Sequence, residues 1–110
     1  MTIERGIKLP NHSKHFTKRV LTIVRQIPIG HVATYGDVAS MAGRPHAWRA
    51  VGNIMRTCSE PGIPCHRVVA ANGRLGGYNL LAMKFQLLHY EGITFRGNRI
   101  KDFDKVRWRR

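Results

Sequence analysis

The chain has 110 residues, one domain's worth, and 43% of them are hydrophobic, which excludes wholesale disorder. No apolar run approaches the roughly 20 residues of a transmembrane helix, and the basic stretch Met1 to His15 lacks the apolar centre of a secretory signal. Lys and Arg total 19 (13 of them Arg) against 6 Asp and Glu, a net charge of +13 that points first to a nucleic acid and second to an anionic membrane.

Residues 1–12 read as a basic arm. Ser13 is placed to cap a helix whose apolar positions, Phe16, Val20, Val24 and Ile27, share one face. Pro28 and Gly30 end it. After an extended link from His31 to Ala33, Thr34 and Asp37 have the spacing of a capping box. A short helix follows, with Tyr35, Val38 and Met41 inward and Gly43 at its close. Pro45 suits the first turn of the next helix, which runs to about Thr57 with Ala47, Ala50, Val51, Ile54 and Met55 as its less polar positions. Two short helices across a glycine turn make a helix-turn-helix. The second carries Gly52, which costs about 1 kcal/mol against Ala inside a helix. Close approach to a nucleic acid or tight packing inside the core would each explain it.

Glu60 to Ile63 is a loop, and Val68 to Ala70 reads as a short strand turned by Asn72-Gly73. Gly76-Gly77 is a second flexible point. A helix from about Leu80 to Glu91 places Leu81, Phe85 and Leu88 on one face and stops at Gly92. The stretch 96–110 is a basic tail, stapled by Phe103, Val106 and Trp108 with its arginines solvated. This divides the chain into an arm (1–12), a domain (13–95) and a tail (96–110).

Cys58 and Cys65 are too few for the disulfide framework of a small secreted domain, and reduced thiols are the expectation. The six histidines show no zinc-binding spacing, so no metal is expected. Pro64-Cys65-His66-Arg67-Val68 is the stretch richest in chemistry. A Cys beside His and Arg has neighbours that favour a thiolate, although a free Cys is more often a small buried hydrophobe. Glu91 lies at a helix C-terminus, where the dipole disfavours an anion by about 0.3–1 kcal/mol. It suits a proton relay, a partner for a cation, or a plain solvated surface position.

Several blocks in order carry a resemblance. They are Ile27-Pro28 with Gly30 and Thr34-Tyr35-Gly36, Gly43 with Pro45, Arg49-Ala50-Val51-Gly52, Pro64-Cys65-His66-Arg67-Val68-Val69, Gly77-Tyr78, and Leu87-Leu88 with Glu91-Gly92. Together they resemble the DNA-binding, active-site domain of the O6-alkylguanine-DNA alkyltransferases. The resemblance implies a mostly α, winged-helix-like domain with a short β element, whose helix-turn-helix enters the minor groove. Tyr35, Arg44, Arg49, Ala50, Gly52 and Arg56 would meet DNA. Arg49 would replace the extruded base in the stack, and Tyr35 would press on the adjoining phosphate. Cys65 would be the nucleophile, with His66, linked through a water to Glu91, taking its proton. Pro64, Tyr78 and Asn79 would frame the base pocket. The resemblance implies no cofactor and no metal, and one lesion handled per molecule. Double-stranded DNA containing O6-alkylguanine would be the partner of a cytoplasmic, nucleoid-associated monomer with no membrane contact.

The pattern departs from the family at two places. Cys58-Ser59 stands where an Asn-Pro usually follows the recognition helix, and the loop Asn79 to Lys84 is shorter and lacks a glycine. The alternative reading is an alkyltransferase-like sensor, which binds the lesion without transfer and recruits nucleotide excision repair. A basic regulator or architectural DNA binder is a third class.

Overall fold

The computed structural model describes residues 10–58, 60–75 and 81–109, with side chains from residue 14 onward and without that of Leu81. The first helix, α1, spans Pro10–Arg25. It therefore begins inside the expected arm, and Ser13 lies within it instead of capping it. Proline suits a first helical position because the amide it lacks would have no partner there. The expected face is buried: Phe16, Val20 and Val24, joined by Ile23, with Ile27 just beyond the helix.

Strand β1, Ala33–Thr34, leads directly into α2, Tyr35–Met41. The capping box is present: Asp37 N–H donates to Thr34 Oγ1 at 2.9 Å, and Thr34 N–H donates to Asp37 Oδ2 at 3.1 Å. Val38 is buried, while Tyr35 and Met41 are half-buried against the same core. Helix α3 spans Trp48–Thr57, so Pro45 lies in the preceding turn and not in the first turn of the helix. That turn closes by a bond from Ala47 N–H to Arg44 O, leaving Ala47 as the helix cap. Val51 and Met55 are the buried side of α3, and Ala50 is exposed.

Strand β2, Val68–Val69, pairs with β1 in parallel, Ala33 opposite Val68 and Thr34 opposite Val69, instead of forming one arm of a local hairpin. Alternation along these strands separates two cores. Ala33 and Val68 face the α1–α2–α3 side, whereas Val32 and Val69 join Leu75, Leu88, Ile93 and Ile100 on the other. Asn72 and Gly73 turn the chain with positive φ, 63° and 78°. Gly73 has a second requirement: a Cβ there would sit 3.1 Å from the Phe103 ring.

Helix α4 spans Leu81–Tyr90 and stops before Gly92, whose φ is 96°. Its inner face differs from the expected one. Leu88 is fully buried, but Phe85 is 39% exposed and Lys84 only 3%. Phe85 lies instead against Phe95 and stacks with His89. An antiparallel hairpin follows, β3 (Phe95–Arg96) with β4 (Arg99–Ile100), then a single turn of helix, α5 (Phe103–Val106). Phe103 and Val106 pack on the second core and Trp108 on the first. Arg107 is not solvated as expected. It donates twice to Asp37, at 2.9 and 2.7 Å, and so ties the end of the chain to the start of the helix-turn-helix. The architecture is mostly helical, a helix-turn-helix followed by a short winged element.

Candidate active site and nucleic-acid interface

Pro64 precedes a single 3-10 turn, Cys65–Arg67, which runs straight into β2. The pairing of β2 with β1 therefore fixes the turn that carries Cys65. Arg67 secures it further. Its Nε donates to Glu91 Oε1 at 2.9 Å, Nη2 to Oε2 at 2.8 Å, and Nη1 to the Ile27 carbonyl at 2.9 Å. One side chain thus joins the Cys65 segment, the end of α4 and the turn after α1. A two-pronged Arg–carboxylate pair is strong and directional.

Glu91 also meets His66, with Nε2 and Oε2 2.7 Å apart. This is direct contact, with no space for the water expected between them. Burial works to raise the Glu91 carboxyl, but hydrogen bonds from Arg67 and then His66 outweigh it and hold it near 2. Glu91 is thus an ionised partner to both Arg67 and His66, which explains an anion at a helix C-terminus.

Cys65 opens onto a cavity of 280 Å³, just below the usual range of ligand pockets, about 300–1,000 Å³. His66 lines it too, with Cys58, Ile63 and Met55 on one side and Met83, Lys84 and Leu87 of α4 on the other. Arg56 and Glu60 stand in its wall. The thiol does not titrate below a free cysteine, as its neighbours had suggested. Burial pushes it up to about 12, and hydrogen bonding to Cys58 adds to the rise. Arg67 cannot supply the expected help because its guanidinium is committed to Glu91 and Ile27. The cation that favours the thiolate is Lys84, which burial itself brings down to about 8.

Lys84 is the site residue that sequence reasoning missed. Its Nζ lies 3.5 Å from the Tyr35 hydroxyl and 5.6 Å from the centre of that ring, linking α4 to the first residue of α2. The available signal was its spacing of four from Leu88, which puts a cation on an apolar helical face.

The other candidates separate into groups. Arg49 is exposed at the start of α3, its guanidinium 5.0 Å from the ring centre of the half-exposed Trp48. Ala50 is exposed beside it. A Cβ on Gly52 would meet nothing within 4 Å, so packing inside the core does not account for this glycine. Arg56, at the far end of α3, donates to Asn53 at 3.1 Å and reaches the Cys65 cavity. Arg44 is half-buried over the Phe16 ring, 5.4 Å from its centre, so it also packs on α1. Pro64 adjoins Cys65. Tyr78, Asn79 and Ser59 lie outside the described residues, as do Gly76-Gly77 and Leu80.

Comparison with known proteins gives the family. Residues 15–93 match the family described as 6-O-methylguanine DNA methyltransferase, DNA binding domain. The chain belongs to that family. It is 39% identical over 109 residues to the DNA base-flipping protein of Escherichia coli, covering 92% of this chain and 84% of that protein. It is 45% identical over 80 residues to the human methylated-DNA–protein-cysteine methyltransferase, covering 70% of this chain but only 39% of that enzyme. The chain likewise spans 28% of a similar bifunctional methyltransferase/endonuclease from Thermoplasma volcanium. Among solved structures, S. pombe Atl1 in complex with damaged DNA containing O6-carboxymethylguanine superposes with a TM-score of 0.79 at 25% identity, over 94% of this chain and all of that one. Mycobacterium tuberculosis OGT in complex with DNA gives 0.65 at 36% identity, over 80% of this chain and 51% of that one.

Proposed function

We infer that this protein takes the alkyl group of O6-alkylguanine in duplex DNA onto Cys65, once and irreversibly. The observation that carries this reading is a cysteine opening on a base-sized cavity, held beside a directly bonded His66–Glu91 pair. Cys65 Sγ attacks the alkyl carbon as a thiolate, the electron pair of the bond from that carbon to O6 leaves with the guanine, which takes up a proton, and a thioether remains. The thiol proton passes to His66, whose imidazolium the ionised Glu91 stabilises. Lys84 lends positive charge to the sulfur as the proton leaves. A free cysteine held so far above neutrality makes deprotonation the costly step, so the arriving base must complete the activation.

The target atom lies inside the duplex, and the base must be turned out to reach the cavity. The outward face of α3 suits the minor groove, with Ala50 and Gly52 leaving room and Arg49 placed to fill the vacated stack. Tyr35 stands beside the cavity's Lys84, where it can act on the adjoining phosphate. Arg56 and Arg44 add charge along the same helix-turn-helix, and the +13 net charge supplies affinity for duplex DNA of any sequence. Tyr78 and Asn79 are proposed for the remaining wall of the pocket. The reaction needs no cofactor, metal or membrane, and a monomer acting on nucleoid DNA in the cytoplasm suffices. The proposed alkyl-accepting unit runs from α1 at Pro10 through the hairpin and α5 to Trp108, and its side chains pack on both cores.

A second reading, a lesion sensor that flips the base without transfer and engages nucleotide excision repair, is favoured by the raised Cys65 thiol and by the full-length likeness to Atl1. Intact mass after mixing with an O6-methylguanine oligonucleotide decides between them. One methyl on the tryptic peptide Thr57–Arg67, absent in Cys65→Ser, is the expected result. Lesion-selective binding with no methyl after prolonged incubation establishes the sensor.

A further inference from the structure

Cys58 is not used by the proposed reaction, yet it lines the cavity onto which Cys65 opens. Both sulfurs line the same cavity, both residues are half-buried, and both pack against the α1–α2–α3 core. Cys58 closes α3 from an extended conformation, φ −72° and ψ 122°, and Cys65 opens a single 3-10 turn. Neither is in the interior of a long helix or a strand ladder. The short loop between them turns at Pro61-Gly62, where Gly62 has φ 86°, and Ile63 N–H donates to Glu60 O at 3.4 Å. Both cysteines thus line one cavity from the two ends of a short connection, and a disulfide needs their Cα atoms within about 7 Å.

We propose that Cys58 and Cys65 form a dithiol modification site, which a hydroperoxide converts to an intramolecular disulfide that reversibly closes the cavity to alkyl transfer. The first thiol attacks the peroxide, its sulfur becomes a sulfenic acid, and the peroxide is reduced to an alcohol, or to water if it is hydrogen peroxide. The second thiol then displaces hydroxyl from that sulfenic acid, forming the S–S bond and a water molecule. The two sulfurs together give up two electrons and two protons. Without Cys58, an oxidised Cys65 has no resolving thiol and proceeds to sulfinic acid, which thiols do not reverse. The effect on transfer rests on the function proposed above, but the disulfide itself does not.

Trypsin releases both cysteines in one peptide, Thr57–Arg67, and the chain has no other cysteine. The full chain is treated with hydrogen peroxide, quenched, and mapped without reductant. The expected result is that peptide lighter by two hydrogens, restored by dithiothreitol, with methyl acceptance lost while oxidised and regained on reduction. Cys58→Ser, folded by circular dichroism, is expected to gain two oxygens on Cys65 that dithiothreitol does not remove. Sulfinic acid in the wild type without disulfide overturns the proposal. So does a disulfide only between two chains, or equal recovery of wild type and Cys58→Ser. If the reduced protein never accepts a methyl, the transfer reading fails, while the peptide mass still decides whether the dithiol site exists.

Discussion

Around Cys65, the charged side chains Arg67 and Glu91 are bonded to each other and sealed against the protein, each less than 15% exposed. Along the outer face of α3, Arg49 and Arg56 stand in solvent with partners one and three residues away. The first arrangement fixes geometry, because a buried ion pair with every arm satisfied holds one position. The second leaves charge available, because exposed cations keep most of their attraction for an incoming phosphate. A turn carrying a nucleophile needs the former, and a helix meeting a polyanion needs the latter.

Breaking the rigid half gives the largest effect. Arg67→Ala leaves Glu91 without its two-pronged partner and the Ile27 carbonyl without a donor. We expect a loss of about 3–5 kcal/mol in stability, read by urea denaturation, together with loss of alkyl transfer. A loss below about 1 kcal/mol would show that the clamp is not what holds the turn.

Acid acts on the same clamp. The Glu91 carboxyl is lowered from 4.5 to about 2, so its contribution is complete above pH 4.5 and disappears as pH falls toward 2. Asp37, lowered by Arg107 and Thr34 against the opposing effect of burial, declines in the same direction. The stability gap between wild type and Arg67→Ala should therefore narrow from pH 5 to pH 2. A gap that is constant across that window excludes Glu91 as its source.

The exposed half should respond in function and not in fold. Arg49→Ala is expected to change stability by less than about 0.5 kcal/mol, since its side chain is exposed and lies over the half-exposed Trp48 ring. Transfer from duplex DNA should slow at least about tenfold, a loss of roughly 1.4 kcal/mol. Reaction with free O6-benzylguanine should be nearly unchanged. Equal losses on both substrates would make Arg49 structural.

The smallest change sharpens the comparison most. Gly52→Ala fills open space on a helix, so it should stabilise the protein by about 0.5–1 kcal/mol. Duplex binding should weaken, because the added methyl stands where the groove would approach. A variant that is more stable and binds duplex equally well would place the groove elsewhere.

Short-range patterns were legible in the sequence alone. The Thr34–Asp37 box, the end of α3 at Thr57, the stop before Gly92 and the buried stripe of α1 each depend on residues within one or two turns, where spacing and caps dominate. The ordered blocks around Cys65 likewise marked the family that residues 15–93 match. Tertiary structure decided the rest. Arg107 and Asp37 meet across 70 positions, Arg67 and Glu91 across 24, and Lys84 and Tyr35 across 49. No local rule selects such partners, because a charged side chain is compatible with solvent until the fold removes it. The same holds for the Cys65 thiol: adjacent His and Arg suggested activation, but Arg67 turned to Glu91, Cys58 came into contact, and burial raised the cost of the charged sulfur.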